Sequence, residues 1–269
     1  RAVAQSATIY VLGGLYSGPR DAFADVNACP VIYSPIEMAE WDLFTGSHGW
    51  SGGCALHVDT GKNRRGLSVE EAVAFAPSFR NHGVTLLISR LDSLDKAAKA
   101  SNDRQIGRFT ELRRLYKGVS ASMADASAIF VEPKAHCDLI RAETALYGVN
   151  PASGANNPML PVIELYARIV QIIRLSAGET IADGNGWTAK RPTRLALVSA
   201  GYADGYPRCE GGYDKKLHAI VGGRPCPVVG QPSMDLLAID VTEIPDPAIV
   251  RHGNLVTLIG PQTSIDELA

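Results

Sequence analysis

One stretch of the chain, Gly201 to Arg208, places several side chains that can do chemistry in a single short turn. It carries two phenols, a carboxylate and a guanidinium, and it follows an apolar run, Leu195 to Ser199, with the composition of a β-strand. Asp204-Gly205 is typical of a turn with positive φ, and Pro207 cannot continue a strand ladder. Turn chemistry therefore accounts for these three residues but not for Tyr202. Tyr202 either packs the strand end, with its hydroxyl bonded to a carbonyl, or acts as an acid or base.

The composition is that of a globular chain without strong charge or membrane character. The 269 residues are 46% hydrophobic and 20% charged, and the net charge is -2. We therefore expect neither a nucleic-acid partner nor a membrane partner. We also expect no metal site. The five cysteines lie far apart without a C-x-x-C pair. That spacing favours buried free thiols in a reducing compartment, and so a cytoplasmic protein.

The first half of the chain alternates short apolar runs with helix-like segments. A capping box, Ser68-x-x-Glu71, predicts a helix that ends at Phe75, and Asp103 to Tyr116 has apolar residues at helical spacing. About six strands are expected around these helices, at residues 7–12, 29–33, 54–58, 84–88, 119–124 and 137–141. Regular alternation of strand and helix indicates parallel β/α units. A (β/α)8 barrel of the TIM type needs eight, so the pattern predicts an incomplete α/β barrel that lacks its first units.

The second half of the chain is β-like without helices between the apolar runs. These runs lie at residues 163–175, 194–199, 217–221, 226–229, 236–241 and 255–259, and turns such as Gly222-Gly223 and Asp246-Pro247 separate them. The change of pattern occurs near residue 155. The sequence therefore predicts a barrel domain over residues 1–155 and a mostly β C-terminal domain over residues 156–269.

Five blocks of sequence, in order along the chain, resemble the alanine racemase family. They are Val58 to Gly66, Ala145 to Gly148, Thr188 to Arg194, Gly201 to Arg208, and the adjacent segments Pro227 to Gly230 and Ser233 to Asp235. The blocks span nearly the whole chain. The resemblance implies a partial or complete (β/α)8 barrel, a following β domain, and a head-to-tail homodimer with active sites shared between the subunits.

The resemblance also implies an enzyme that interconverts L- and D-alanine with pyridoxal 5'-phosphate (PLP) and supplies D-alanine for peptidoglycan. The cofactor ring would accept electrons from the substrate Cα, and two bases would serve the two faces of a planar intermediate. Tyr202 matches the tyrosine that serves one face in the partner subunit's site. Arg141 matches the arginine that faces the pyridine nitrogen, and Thr144 lies in the segment whose backbone amides hold the phosphate. Arg64 and Met234 match residues near the substrate carboxylate.

Each of these matches has a structural alternative. Arg141 could pair with a carboxylate at a strand end, Arg64 could be a solvated loop charge, and Met234 could belong to the core. His57 stands where many relatives have a lysine that can carry a carbamate, and we interpret it as a core histidine. The order of the blocks favours functional roles for Tyr202, Arg141 and Arg64, and it leaves Met234 open.

Several positions near the cofactor depart from the family pattern. The family's cofactor lysine lies in a segment resembling V-V-K-A-x-A-Y-G, which does not occur here. We therefore expect this sequence to begin after the family's first two β/α units and to stop before its C-terminal end. Arg90 replaces a histidine near the ring, Asp125-Ala126 replaces an Asn-Ser pair near the phosphate, and Glu143 replaces the glycine of Arg-Pro-Gly-Ile. Carboxylates beside a dianionic phosphate repel it.

These departures leave other interpretations open. The sequence could be an incomplete alanine racemase, or an enzyme that holds the phosphate with other groups. It could also be a diverged or non-catalytic dimeric protein on the racemase scaffold that has lost PLP binding. A barrel-type PLP decarboxylase is a further alternative. Arg141 opposes it, because a decarboxylase needs a carboxylate at the ring nitrogen to strengthen electron withdrawal.

Overall fold

The computed structural model of the protein describes residues 5–15, 20–50, 52–92, 98–152, 156–181, 186–207 and 217–268. The chain divides into two compact units. The first comprises Arg1–Glu143 and Pro151–Gly154, and the second comprises Thr144–Asn150 and Ala155–Ala269. The predicted boundary at residue 155 lies outside the described residues, so the division into domains 1–155 and 156–269 stays a prediction.

The first unit is built on a parallel sheet with its strands in sequence order. The strands are β1 (Ile9–Val11), β2 (Ala28–Ile32), β3 (Cys54–His57), β4 (Val84–Ile88) and β5 (Ser120–Ser122). Every neighbouring pair is parallel. The expectation of an incomplete barrel of β/α units is therefore confirmed, and all the carboxyl ends of these strands meet at one edge of the sheet.

The prediction of a sixth strand at residues 137–141 is wrong. Only an isolated bridge joins Leu139 to Ser122 there. Cys137 has a φ of 54°, which an extended strand does not allow. The Asp138 carboxylate accepts a hydrogen bond from the Ala121 backbone N–H at 2.8 Å, so a side chain takes the place of a ladder partner.

Within the part of the first unit that the structure describes, five helices accompany the sheet: α1 (Asp21–Asp25), α2 (Pro35–His48), α3 (Val69–Phe75), α4 (Lys99–Leu115) and α5 (Ala126–Val131). The capping box before α3 is confirmed. The Ser68 hydroxyl accepts from the Glu71 N–H at 3.1 Å, and the Glu71 carboxylate accepts from the Ser68 N–H at 2.8 Å. These two bonds satisfy two of the N–H groups that a helix start leaves unpaired.

The core of the first unit lies between the sheet and its helices. Trp41 of α2, Phe109 and Leu112 of α4, and Leu56 of β3 are each at most 1% exposed. Burial of such side chains contributes about 1.5–3 kcal/mol each. Tyr116 at the end of α4 is also buried, and its hydroxyl donates to the Ala72 carbonyl of α3. The helices are thus fixed against the sheet, and the loops at the carboxyl ends of the strands have a rigid support.

The second unit is a closed antiparallel barrel. Its strands are β6 (Leu165–Leu175), β7 (Thr193–Val198), β8 (His218–Val221), β9 (Arg224–Val229), β10 (Leu237–Asp240) and β11 (Leu255–Ile259). Their order around the barrel is β10-β7-β6-β11-β8-β9, and β9 pairs with β10 to close it. Alternate residues, such as Ala196 and Val198 of β7 and Leu237 and Ile239 of β10, fill the interior. The predicted mostly β character of this half is confirmed.

The described residues contain no helix long and apolar enough to cross a membrane. Four cysteines fall within the described residues, and no disulfide joins any two of them. Cys29, Cys54 and Cys226 are buried, and Cys137 is partly buried. Burial raises the pKa of the Cys54 thiol above its ordinary value, which keeps this thiol protonated and unreactive.

Candidate active site

The carboxyl ends of the parallel strands bring titratable and aromatic side chains to one edge. Tyr33 follows β2, Asp59 follows β3, Arg90 follows β4, and Asp125 follows β5. Arg141 joins them, because the Leu139–Ser122 bridge and a hydrogen bond from the Arg141 N–H to the Ala124 carbonyl hold its segment beside β5. Ligands of parallel α/β proteins bind at this edge. Tyr33 was not among the predicted site residues, although its place directly after a buried strand could have indicated a role in the site.

A cavity of about 220 Å³ opens at this edge. Its walls combine three arginines and a lysine with one carboxylate and two rings. The lining residues are Tyr33, His57, Val58, Asp59, Lys62, Arg64, Arg65 and Arg90. The Lys62 ammonium is held by the carbonyls of Leu91 and Asp92 at 3.3 and 3.1 Å. The excess of cations over carboxylates suits an anionic ligand group.

The loop that carries Arg64 is fixed by a single carboxylate. Asp59 accepts hydrogen bonds from four consecutive backbone N–H groups, those of residues 61–64, at 2.6–3.1 Å. Burial would raise the pKa of Asp59, but these four bonds outweigh it and hold the pKa below its ordinary value. Arg64 is exposed, and its guanidinium makes no hydrogen bond or ion pair with other residues that the structure describes. Its backbone is therefore held, while its charge faces the cavity uncommitted.

One wall of the cavity is a stack of three flat groups. The Arg65 guanidinium lies 3.9 Å from the centre of the Tyr33 ring, and Tyr33 stacks on His57 with ring centres 5.0 Å apart. Arg65 also donates to the Gly13 carbonyl and to Glu37 at 2.6 and 2.9 Å. Sequence reasoning missed both Arg65 and Tyr33 as parts of the site.

His57 is the inner layer of this stack and is neutral at pH 7. Burial lowers the pKa of His57 to about 4, and the positive charge of Arg141 is the next largest cause. Arg90 and Arg65 lower the pKa by smaller amounts, and Asp59 opposes the shift. The interpretation of His57 as a core histidine is wrong, because its ring is only partly buried and lines the cavity. A neutral imidazole at this position adds no further positive charge beside the nearby arginines.

Arg141 is held on three sides by groups at the same sheet edge. Its guanidinium donates to the Ser122 hydroxyl at 2.9 Å and to the carbonyls of Ser89 and Met123 at 3.0 and 3.3 Å. Its Nε lies 3.8 Å from Glu143 Oε1, which is too far for a hydrogen bond. Burial lowers the pKa of Arg141 from its ordinary value, while Glu143 and Asp125 act in the opposite direction. Arginine keeps its proton in proteins, so this site retains a fixed positive charge.

Arg90 pairs with both carboxylates that replace family residues. Its Nε donates to Asp125 Oδ2 at 2.8 Å, and a terminal nitrogen donates to Glu143 Oε2 at 3.2 Å. The other oxygen of Asp125 accepts from the Ala128 N–H and caps α5, whose first residue is the buried Ala126. We call these four side chains, Arg90, Asp125, Arg141 and Glu143, the charge cluster. It contains two cations and two anions.

The second unit carries Tyr202 and Met234 on two loops that touch. The Tyr202 N–H donates to the Ser233 carbonyl at 3.0 Å, and the Ala203 N–H donates to the Met234 carbonyl at 2.9 Å. A Cβ on Gly201 would lie 2.4 Å from both of these carbonyl oxygens, so only glycine permits this approach. Tyr202 is 40% exposed and Met234 is 61% exposed. Met234 is therefore not a core residue, and Tyr202 is not packed away at the strand end.

The turn predicted after β7 is confirmed in its details. Residues Tyr202–Asp204 form one 3₁₀ turn, and the Asp204 carboxylate accepts from the Gly201 N–H at 3.0 Å. Gly205 has the expected positive φ, at 92°. Arg208, the last residue of this motif, lies outside the described residues. Asp204 thus has a structural task in the loop that presents Tyr202.

The predicted site residues fall into two groups. Arg64 and Arg141 lie in the first unit, at the cavity edge of the parallel sheet, whereas Tyr202 and Met234 lie in the second. Thr144 is the first residue of the second unit and belongs to a 3₁₀ turn, Glu143–Tyr147. Among the residues that the structure describes, no group of three or more histidine, cysteine, aspartate or glutamate side chains could hold a metal ion.

Comparison with known families matches both halves of the chain. Residues 1–151 match the family model for the alanine racemase N-terminal domain, and residues 162–269 match the model for the alanine racemase C-terminal domain. An alanine racemase of Methylobacterium sp. (strain 4-46) is 42% identical over 270 residues, which cover all of this chain and 73% of that protein. A biosynthetic alanine racemase of Agrobacterium fabrum is 35% identical over 280 residues, covering all of this chain and 71% of that protein.

Solved structures give the same result. The biosynthetic alanine racemase of Pseudomonas aeruginosa superimposes with a TM-score of 0.81 at 30% identity, covering all of this chain and 75% of that one. The alanine racemase of Bartonella henselae, solved with covalently bound pyridoxal phosphate, superimposes with a TM-score of 0.79 at 26% identity, covering 97% of this chain and 72% of that one.

Proposed function

The chain belongs to the alanine racemase family, and we propose that it interconverts L- and D-alanine with pyridoxal phosphate by a two-base mechanism in which Tyr202 is one base. Racemisation requires a proton to leave the substrate Cα from one face and to return to the other. Each face therefore needs its own proton acceptor and donor. The similarity of the whole chain to racemases does not favour a non-catalytic function.

The observation that carries the proposal is the presentation of Tyr202. Its backbone is pinned by the hydrogen bonds between the Gly201–Tyr206 turn and the Ser233–Met234 loop, yet its side chain stays 40% exposed. A tyrosine that only filled space would be expected to bury its ring. A base has to reach the substrate from a fixed direction, and this backbone geometry supplies that.

The residues around Arg141 fit the ring end of the cofactor. When bound, pyridoxal phosphate supplies a ring that accepts electrons from the substrate Cα as its proton leaves. The Arg141 Nε–H lies outside hydrogen-bond distance of its nearest carboxylate, Glu143 Oε1. We propose that it faces the ring nitrogen and, because arginine does not release its proton, keeps that nitrogen unprotonated. This limits electron withdrawal and favours return of the proton to Cα.

The remaining predicted residues would bind the substrate and the cofactor. The uncommitted Arg64 guanidinium lines the cationic cavity, and we propose that it attracts the carboxylate of alanine and stabilises the charge around the base. We assign Met234 to the same carboxylate through its backbone amide. Thr144 would contribute its backbone amide to the phosphate. The small volume of the cavity suits a small amino acid.

The experiment first tests cofactor use and then the face that Tyr202 serves. The protein is expressed from its own start codon and mixed with pyridoxal phosphate, and a visible absorption band is expected on binding. Tyr202→Phe should then slow loss of the Cα proton from one alanine enantiomer by about 100-fold or more, and from the other enantiomer much less. Tyr206→Phe, in the same loop but buried at 4% exposure, is the matched control. Absence of the band, or equal slowing for both enantiomers, would refute the proposal.

We also propose that the enzyme is a homodimer in which Tyr202 serves the partner subunit's active site. The proposal rests on the family resemblance. It predicts that Tyr202→Phe and Arg141→Gln proteins, each inactive alone, regain activity when mixed, unfolded and refolded together, because mixed dimers contain one intact site. No regain of activity, with mixed dimers present by mass, would contradict shared sites.

The metabolic role follows from the reaction. We propose that the protein acts in the cytoplasm and supplies D-alanine for peptidoglycan. The buried thiols of Cys54 and Cys226 agree with a reducing compartment. Expression in a bacterium that requires added D-alanine should remove that requirement, and expression of the Tyr202→Phe protein should not. Continued dependence on D-alanine with the wild-type protein would count against this role.

A further inference from the structure

The phosphate end of the cofactor does not fit the charge cluster as well as the ring end does. The phosphate ester of the cofactor is attached, through a methylene, to a ring carbon that one further carbon separates from the ring nitrogen. With Arg141 at that nitrogen, the phosphate would have to be held by groups that border Arg141 on the sheet edge. The groups next to Arg141 on the sheet edge are Ser122, Ser89 and Glu143, and Glu143 is linked through Arg90 to Asp125.

Most guanidinium donors of this region already bond to protein groups, and the Arg141 Nε–H is the one assigned above to the ring nitrogen. One Arg90 nitrogen donates to Asp125 and another to Glu143, and the terminal nitrogens of Arg141 donate to a hydroxyl and two carbonyls. The N–H of Ala128, in the first turn of α5, donates to the Asp125 carboxylate. A dianion would have to compete with two carboxylates for the same guanidinium.

The charges of the cluster cancel before any ligand arrives. Two guanidinium groups face two carboxylates, and Asp125 has only 11% of its side chain exposed, so water screens it little. A phosphate dianion at the cluster meets two like charges at short range, and the four charges of the cluster itself sum to zero. Pyridoxal, which carries a neutral hydroxymethyl group in place of the phosphate ester, meets no such repulsion.

We infer that Asp125 and Glu143 are specificity-determining residues that weaken binding of the phosphate, so that this site discriminates little between pyridoxal phosphate and pyridoxal. The inference rests on the proposed use of the cofactor. Arg90 balances the two carboxylates and keeps them in place.

The negative charge of Asp125 is not needed for the fold. Its cap on α5 uses one oxygen as acceptor, and asparagine caps helices as well as aspartate does. Glu143 has a φ of 43° and a part-exposed side chain, and glutamine has the same backbone demands. Asp125→Asn and Glu143→Gln therefore remove charge while keeping shape, and Asp125→Asn alone is the milder second variant.

The experiment measures dissociation constants of pyridoxal phosphate and of pyridoxal by equilibrium dialysis, with the full protein expressed from its own start codon. The double variant Asp125→Asn/Glu143→Gln is expected to bind pyridoxal phosphate about tenfold or more tightly than wild type, with pyridoxal affinity within about twofold. Asp125→Asn alone should give a smaller gain of the same kind. Glu111→Gln, an exposed charge change on α4, is the matched control and should alter neither constant.

The outcomes separate this inference from the proposed function. A raised selectivity for pyridoxal phosphate in the variants supports the inference, including the case in which wild type binds no pyridoxal phosphate and the variants do. Binding of pyridoxal phosphate by wild type with an unchanged ratio of the two constants in both variants overturns the inference alone. If neither wild type nor variants bind either compound, cofactor use is refuted and the inference falls with it.

Discussion

Replacing Gly201 with alanine should detach the loop that presents Tyr202 from the loop that carries Met234. The added Cβ would lie 2.4 Å from the carbonyl oxygens of Ser233 and Met234 and 2.5 Å from the Asp235 nitrogen. All three neighbours are backbone atoms, so no side-chain rotation relieves the overlap. The two loops must separate, and the hydrogen bonds donated by the N–H groups of Tyr202 and Ala203 are strained or lost.

The magnitude follows from those contacts. Each lost hydrogen bond costs about 0.5–1.5 kcal/mol, and displacement of the packed loop adds about 1 kcal/mol. Gly201 has a φ of -150°, which alanine adopts without strain, so restriction of the unfolded chain returns about 0.4–1 kcal/mol. The expected net loss in the free energy of unfolding is about 2–3 kcal/mol. The proposal that Tyr202 is a base predicts a larger effect on racemase activity, because a displacement of about 1 Å costs about 100-fold in rate.

Gly205 in the same turn provides the matched control. Its φ is 92°, and a Cβ there would meet no atom within 4 Å. Gly205→Ala therefore adds backbone strain of about 1–2 kcal/mol without forcing the loops apart. Both variants lower stability, Gly201→Ala by more, and only Gly201→Ala disturbs the contact between the loops.

Amide hydrogen exchange distinguishes the two variants, with urea unfolding as the measure of stability. Protection of the Tyr202 and Ala203 amides should drop in Gly201→Ala to the level of an exposed loop, and it should persist in Gly205→Ala. Unchanged protection of both amides in Gly201→Ala, together with a stability loss below about 0.5 kcal/mol, would refute the role assigned to Gly201.

Two further predictions concern the cavity wall and the loop of Arg64. The folded-state pKa of His57, about 4, lies below its ordinary 6.5, so the unfolded chain takes up the proton first as the pH falls. The associated stability is full above about pH 6.5 and is lost between there and about pH 4, by up to about 3 kcal/mol. His57→Gln should flatten the unfolding free energy in that window, and an unaltered pH profile would contradict the burial of a neutral ring. Asp59→Ala removes the acceptor for the N–H groups of residues 61–64. Their amides should therefore exchange faster, and the free energy of unfolding should fall by about 1–3 kcal/mol. Retained protection of these amides would show that the loop does not depend on this carboxylate.

Local signals made much of the fold predictable. The capping box at Ser68 and the Asp204-Gly205 turn are contained within a few residues, and both occur in the structure as expected. The alternation of strands and helices predicted the parallel sheet, because a helix between two strands carries the chain back so that the second strand runs in the same direction as the first. The strand predicted at residues 137–141 failed because the Asp138 side chain bonds to β5, a contact that apolar composition does not reveal.

The candidate site was less predictable because its contacts join distant parts of the chain. The sequence shows that Asp125 and Glu143 are acidic, but not that one arginine, Arg90, binds both of them. It also gives no sign that Arg65 stacks on Tyr33 across an intervening strand and helix. His57 was misassigned for the same reason, since an apolar strand does not tell which of its last residues turns toward the cavity.

The pairing partners of β6 determine when the second unit can form during synthesis. This strand pairs with β7, which follows closely, and also with β11, which starts at Leu255. The barrel therefore stays open, with one side of β6 unpaired, until the ribosome has delivered residue 255 and beyond. Neighbouring strands of the parallel sheet, in contrast, follow one another along the chain. At about 5–20 residues per second, several seconds separate the emergence of β6 from that of its second partner. In that interval the exposed edge of β6 can pair with other chains, so aggregation should be most sensitive to conditions that slow the last part of translation.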